Sequence, residues 1–313
     1  MSNFDQTFKI VNEFKTNLKT VIKGKDETID LLLTALFAGG HILIQDYPGS
    51  GKTTLGKSLA MLIDNKEDFK SFSRIQFTPD MLPADIIGAN IFNKETNSFN
   101  FQSGPVFGEV ILADEINRAG PKVQAAFIEA MAEKQVTVDS ITYKLSDLFF
   151  VIGTQNPIDL AGTYPLPLVQ LDRFLLKIPM SYVDSKTEFE IINESEKIKN
   201  NLNNLKPIIN SDELYKLTQT RLQINISDKI TQAIVELIQS TRNNENILMG
   251  ASTRSAIMFK NALQAFALIK NKDYVDEDDF KYLARFVLEH RMKYQILEFD
   301  FDSILNPIID TLV

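Results

Sequence analysis

The sequence contains no cysteine. Disulfides and thiolate metal sites are therefore excluded, and the composition fits a reducing compartment. Histidine is almost missing as well, with only His41 and His290, far apart in the chain. A histidine-based zinc site or a Ser-His-Asp triad is correspondingly disfavoured. Basic charge is in deficit: 33 Lys and Arg stand against 41 Asp and Glu, a net charge of −8. A sequence-independent grip on nucleic acid needs a basic surface that displaces counterions, so no nucleic-acid partner is expected. Long hydrophobic runs are lacking too. The most apolar stretch, Ile29 to Ile44 (IDLLLTALFAGGHILI), carries Asp30 and His41 and breaks at Gly39-Gly40. It is too short to span a bilayer as one helix. The N-terminus alternates charged and apolar residues and has no apolar signal-peptide core. A cytoplasmic protein with no membrane span is the expectation.

What is present is an ordinary globular composition over 313 residues, 44% hydrophobic and 24% charged. That length suggests about two domains of roughly 150 residues. Apolar residues at helical spacing run from Glu13 to Val21 and from Asp26 to Phe37, with VIKGK (Val21 to Lys25) as a turn between them. Three short buried strands are predicted: His41 to Gln45, EVILAD (Glu109 to Asp114) and LFFVIGT (Leu148 to Thr154). Between the last two lie a long helix, Pro121 to Lys134, and a hairpin, Gln135 to Leu145, turning at Asp139-Ser140. Strands alternating with helices argue for a parallel α/β sheet. From Ser185 onward the pattern is helical only. Ser227, Thr253 or Ser252, and Asp276 stand where N-caps are expected. The chain divides by pattern into an α/β domain, 1–185, and a helical domain, 186–313. No internal repeat or low-complexity tract is seen.

The chemistry begins at IQDYPGSGKTT, Ile44 to Thr54. A strand, a glycine loop and a helix are the context of the phosphate-binding loop G-x-x-x-x-G-K-[ST]. Its backbone N–H groups surround phosphate oxygens with help from the helix N-terminus. The nucleotide-binding residues are therefore Pro48, Gly49, Ser50, Gly51, Lys52, Thr53 and Thr54. Lys52 reaches the β- and γ-phosphates and the Thr53 hydroxyl binds Mg²⁺. Asp46 stands where the motif has its first glycine, a carboxylate near expected phosphates. At the end of a strand, its side chain need not face them.

A hydrolase of this type needs an acid for the metal at the end of a neighbouring strand. VILADE supplies Asp114 for Mg²⁺ and Glu115 as general base toward the attacking water. Alone, the same pair could simply cap the next helix. IGTQNP places Asn156 at the carboxyl edge of the sheet, where ligands bind and an amide can orient water; alone, it could be an Asn-Pro turn. Arg173, in LDRF, offers a guanidinium suited to transition-state charge on a γ-phosphate, or it pairs with Asp172. Arg254, in GASTRSA, could close the helical domain over the nucleotide or be a solvated first-turn residue.

These stretches resemble AAA+ ATPases, and more narrowly the MoxR family. The resemblance runs from GKDETIDLLLTALFAGGHILIQDYPGSGKTTL through RIQFTPDMLPADIIG, GPVFGEVILADEINRAGPKVQAAFIEAMAEKQVTVD and TQNPIDLAGTYPLPLVQLDRFL to DYVDEDDFKYLARFVLEHR. It implies an α/β P-loop core with a helix-2 insertion at FTPDMLPADIIGANIFNKETNSFNFQSGPVF, a pre-sensor-1 hairpin at Gln135 to Leu145, and an all-α lid. Lys52 and Thr53 then match Walker A, and Asp114 with Glu115 match Walker B. Asn156 matches sensor 1, Arg173 the arginine finger and Arg254 sensor 2. MoxR proteins commonly read E-D-x-P-G-x-G-K-T at the loop, so Asp46 is a subfamily mark. Lys25 departs from the glutamine more usual there, at a place of adenine contacts.

The resemblance also implies ATP and Mg as cofactors, a hexameric ring with the arginine finger acting in a neighbour, and chaperone-like remodelling of a client. The client is often a protein with a von Willebrand factor A domain; none lies in these 313 residues, so a separate partner is expected. Rival readings are a nucleotide-gated switch with little turnover, a chelatase-type AAA+ subunit, and a DNA-loading or helicase ATPase. Glu115, Asn156 and Arg173 together speak against the first, the Arg74–Gly88 segment against the second, and the acidic charge against the third.

Overall fold

The computed structural model describes residues 3–47, 49–65, 68–156, 162–296 and 299–312. Pro48 lies outside them. The chain opens with helices α1 (Asn3–Val21) and α2 (Asp26–Phe37), then strand β1 (Ile42–Asp46) and helix α3 (Lys52–Met61). After β2 (Ile63–Asp64), β3 (Lys70–Gln76) and α4 (Pro83–Ile87) comes a hairpin of β4 (Gly88–Asn93) and β5 (Ser98–Ser103). Next are β6 (Gly108–Asp114), α5 (Pro121–Glu133), a second hairpin of β7 (Gln135–Val138) and β8 (Ile141–Lys144), β9 (Phe150–Gln155), α6 (Leu168–Leu171) and β10 (Leu176–Met180).

Five strands form one sheet in the order β10-β1-β9-β6-β3, with parallel pairing throughout. The expected α/β class is therefore the observed one. All seven residues of β6 are buried, because helices cover both faces of a parallel sheet. Side chains alternate between two cores. Ile42, Ile44, Val110, Leu112, Phe150 and Ile152 enter a core continuous with α1, α2 and the C-terminal helices; Leu43, Ile111, Ala113 and Val151 enter one beneath α5. The two hairpins lean on each other. Asn90 Nδ2 donates to Asp139 Oδ2 at 2.7 Å and the Phe101 and Tyr143 rings stack with centroids 3.9 Å apart. Asp139 and Ser140 take φ of 49° and 68°, the double positive turn that two-residue hairpins favour.

The C-terminal part holds α7 (Ser185–Asn193), α8 (Ser195–Asn203), β11 (Ile209–Asn210), α9 (Ser211–Thr218), α10 (Asp228–Asn243), β12 (Ile247–Met249), α11 (Thr253–Ile269), α12 (Glu277–Leu288), β13 (Lys293–Tyr294) and α13 (Asp302–Leu312). Among the described residues, capping chemistry sets the starts of five helices, with Asp184 accepting from the Thr187 amide and Asn210 from the Glu213 amide at α7 and α9. Ser227 accepts from the Ile230 amide, Ser252 from the Ser255 amide and Asp276 from the Asp279 amide. Of the two cap candidates for α11, Ser252 is the one used. The region is not purely helical: β11 pairs with β2, and β12 with β13. Two- and three-residue strands carry no readable period, which is why the sequence pattern hides them. Among the described residues no helix is long and apolar enough to cross a membrane.

Candidate active site

Sheet order brings three strand ends together. β9 lies between β1 and β6, so the glycine loop after β1 faces Thr154 on β9 and Asp114 on β6. Gly49 and Gly51 have φ of 81° and 95°, and a β-carbon on either would meet open space. The glycines serve the left-handed backbone here, and they leave room for a phosphate to approach. Gly51 ends at the first turn of α3, whose free N–H groups suit an anion.

Asp114 is the centre of the polar network. Its side chain is 2% exposed. Lys52 Nζ lies 3.0 Å from Oδ1, Arg74 Nη2 lies 2.6 Å from Oδ2, and the Thr154 hydroxyl donates to Oδ1 at 2.8 Å. Burial acts to raise this carboxyl, yet hydrogen bonds from Arg74, Lys52 and Thr154 hold it below the ordinary carboxylate range. It is therefore an anion at neutral pH, ready for a cation. The same Thr154 hydroxyl accepts from the Glu115 amide at 2.9 Å.

Glu115 sits at φ 57°, ψ 49°, a left-handed conformation that costs a non-glycine residue roughly 1–2 kcal/mol. The Thr154 bond helps hold it there and aims the chain away from the sheet directly after Asp114. The Glu115 carboxylate meets Arg118 Nη1 at 3.1 Å. Asn156 follows β9 directly and is half-buried. Thr53, also half-buried, is the second residue of α3. A hydroxyl and a carboxylate are hard oxygen donors, the set that suits Mg²⁺ together with substrate phosphates. Two cations already crowd Asp114, a charge arrangement that a divalent ion can take over.

A cavity of about 340 Å³ adjoins the loop. Gly49, Ser50, Gly51 and Thr54 form one side; Val21, Ile22, Tyr182, Val183, Ile191 and Ile198 form much of the rest. Apolar walls beside a phosphate loop suit a purine base. Lys25 lines it too, its ammonium donating to the Ser181 carbonyl. Burial pushes this ammonium below its usual value.

The two remaining arginines lie elsewhere. Arg173 and Arg254 line a second cavity, about 230 Å³, with Gly39, Gly40, His41, Lys134 and Asn261. Gly39 to His41 precede β1, whereas the glycine loop follows it. The two sites are thus separated by a five-residue strand, on the order of 17 Å. Neither arginine lines the cavity beside the glycine loop. Arg173 does not take Asp172 as partner either: Asp172 Oδ1 accepts from Arg291 Nε at 2.9 Å. Burial pushes Arg291 down to about 10 against the opposing pull of Asp172, so it stays charged at neutral pH.

Sequence reasoning missed Thr154, Arg74, Arg118 and most of the apolar cavity wall. Thr154 lies on β9 two residues before Asn156, and a threonine so near the strand's carboxyl end was a usable signal. Arg74 had none, because β3 (KSFSRIQ) shows no clean alternation of apolar residues.

Comparison with known proteins accords with this geometry. A family model described as the ATPase family associated with various cellular activities (AAA) matches residues 41–176, and an AAA lid domain model matches residues 239–308. The chain is 44% identical over 276 residues to the uncharacterized protein YeaC of Bacillus subtilis, covering 88% of this chain and 84% of that one. It is 33% identical over 308 residues to the chaperone MoxR1 of Mycobacterium tuberculosis, covering 94% and 80%. The crystal structure of an ATPase candidate from Cytophaga hutchinsonii matches with a TM-score of 0.88 at 34% identity, covering 99% and 96%. A parallel sheet with a phosphate loop, a helical lid and relatives of this likeness along nearly the whole chain lead to one conclusion: the protein belongs to the MoxR family of AAA+ ATPases.

Proposed function

We propose that this chaperone-like ATPase hydrolyses ATP with Mg²⁺ at sites formed between neighbouring copies of the chain, in a closed hexameric ring. The observation that carries the reading is the separation of Arg173 and Arg254 from the chain's own glycine loop. Arg173, Arg254 and Lys134 line their cavity, Lys134 with its ammonium on the Asp147 carbonyl, and among the described residues no acid lines it. Such a cavity seeks an anion, and a guanidinium fork suits the oxygens of a γ-phosphate. If the anion belongs to a neighbour's nucleotide, repeating the contact head to tail closes a ring or grows a filament.

Within each site the residues divide the work. The loop from Gly49 to Thr54, with Pro48, holds the triphosphate, and Lys52 leaves Asp114 to reach the β- and γ-oxygens. Thr53 and Asp114 would hold a Mg²⁺ ion, which would supply positive charge against the charge developing on the phosphates. Glu115, freed from Arg118, takes a proton from water that Asn156 orients. Arg173 and Arg254 of the adjacent copy stabilise the charge that builds on the γ-phosphate. Hydrolysis would move subunits against one another and so remodel a separate client protein, one with a von Willebrand factor A domain being the kind expected. Metal insertion or complex assembly would be the outcome for that client. The working compartment is the cytoplasm, and the nucleotide-binding and lid units meet near residue 185.

The test is subunit mixing. Lys52→Ala and Arg173→Ala should each be inactive alone, and a mixture should recover turnover because one variant supplies fingers and the other supplies loops. A mixture as dead as its parts, or a strict monomer by native mass measurement with an ATP analogue, would remove the shared-site reading. A nucleotide-gated switch would instead show tight ATP binding and no turnover in the unaltered protein.

A further inference from the structure

The segment carrying Arg173 is gripped from the lid by one buried guanidinium. Arg291 follows α12 in the turn Glu289–Arg291, and its side chain is 1% exposed. Nε donates to Asp172 Oδ1 at 2.9 Å, Nη2 to the Phe174 carbonyl at 2.6 Å, and Nη1 to the Leu175 carbonyl at 3.1 Å and to the Val287 carbonyl. Every nitrogen of the group is engaged. Three of these acceptors belong to residues 172, 174 and 175, on either side of Arg173. Asp172 Oδ1 also accepts from Ser255 Oγ at 3.4 Å, and Ser255 is the partner of Ser252 in the cap of α11. Asp172 therefore adjoins Arg173 in the chain, Ser255 adjoins Arg254, and a shared carboxylate oxygen joins the two.

Burying a guanidinium is costly, and an apolar side chain of similar size would often serve stability as well. What the apolar substitute could not do is fix three acceptors in one plane. The planar fork does this, and lysine, with one rotatable ammonium, does not. We propose that Arg291 and Asp172 are positioning residues for the arginine pair, holding Arg173 and Arg254 at a set separation so that both meet the same phosphate. The proposal rests on the reading of Arg173 as a group acting in a neighbour's site.

The test uses Arg291→Lys and Asp172→Asn in the full chain, with binding of a fluorescent ATP analogue, KM, kcat and mixing with Lys52→Ala. Arg291→Lys should bind nucleotide within about two-fold of the unaltered protein, since the loop is remote. Its kcat should fall on the order of ten- to a hundred-fold, the scale of a small misplacement of a catalytic group. Asp172→Asn should fall less, because an oxygen acceptor remains. Mixing with Lys52→Ala should restore turnover in both cases, a recovery that general destabilisation would not give. Unaltered kcat in both variants overturns the proposal, as does a loss that mixing fails to rescue while that of Arg173→Ala is rescued. Where Arg291→Lys does not fold, Asp172→Asn decides; failure of both to fold assigns the pair to stability and also overturns it. Full turnover of Arg173→Ala would instead remove the underlying reading, leaving a different signature from a failure of positioning alone.

Discussion

At the carboxyl edge of the sheet, a buried carboxylate is surrounded by cations: Asp114 by Lys52 and Arg74. At the amino edge, Arg173, Arg254 and Lys134 line a cavity that no acid among the described residues enters. At the first edge the charges pair with one another before any ligand arrives; at the second, Lys134 Nζ donates to the Asp147 carbonyl at 2.7 Å and the two arginines line the cavity. At the first edge Lys52 and Asp114 stabilise each other in the nucleotide-free chain. Two arginines lining one cavity suit an anion, and the chain's own glycine loop lies one strand length away. The contrast separates binding from charge stabilisation, and it supports a catalytic site completed by another copy.

The largest expected effects come from breaking the two edges separately. Lys52→Ala should abolish nucleotide binding and turnover together. Arg173→Ala should leave binding of a fluorescent ATP analogue intact while kcat falls on the order of 10³-fold or more, the range for an arginine finger. Equal binding losses in the two variants would erase the distinction between the edges. Next in size is Glu115→Gln, which keeps shape and removes the base. Here kcat should fall by about 10²- to 10⁴-fold with binding retained; unchanged turnover would take Glu115 out of the reaction.

The two edges were also unequally legible in the sequence. Lys52, Thr53, Asp114 and Glu115 follow strands whose apolar runs can be recognised, and short motifs fix their local backbone. Sheet order then brings them together without further information. The amino edge depends on contacts between residues over a hundred positions apart, such as Asp172 with Arg291 and Phe174 with His290. No local period announces these, so the sequence leaves Arg254 open between closing the helical domain over the nucleotide and a solvated first turn. Arg74 went unnoticed for a related reason: it lies on an edge strand whose partly exposed faces blur the alternation. The Asp46 position shows the reverse case. As the last residue of β1, in register with Met180, it belongs to the strand before the loop turns.

A smaller effect distinguishes the edges by pH. His41, at the amino edge, is buried; Nδ1 accepts from the Val151 amide at 3.2 Å and Nε2 lies 3.3 Å from the Met131 carbonyl. Burial lowers its pKa from 6.5 to about 4, with Lys134 acting in the same direction and the Met131 carbonyl opposing. The unfolded chain thus binds a proton that the folded one refuses, and stability falls as pH drops from 6.5 toward 4. Between pH 7 and pH 5 this amounts to about 2 kcal/mol from His41. Burial lowers His290 as well, which adds a loss of the same sign. Urea unfolding at the two pH values measures the sum, and His41→Asn should flatten the slope. A slope unaffected by that change would place the acid sensitivity elsewhere.

The smallest effect belongs to Arg74, and it sharpens the account of the carboxyl edge. Arg74 is half-exposed, so losing its pair with Asp114 should cost about 1 kcal/mol in nucleotide-free protein, because Lys52 and Thr154 remain. Asp114 titrates lower in the folded than in the unfolded chain, so its contribution is present above the unfolded value and lost as pH falls through the folded one. Arg74→Ala should raise the folded value toward the unfolded one, so that the contribution is smaller and its loss is complete at a higher pH. With Mg²⁺ and an ATP analogue bound, a divalent cation would replace Arg74 as the partner of this carboxylate, and the stability difference between variant and unaltered protein should close. A deficit of the same size with and without ligand would mean that Arg74 is an ordinary structural ion pair rather than a counter-charge held in reserve for the unliganded site.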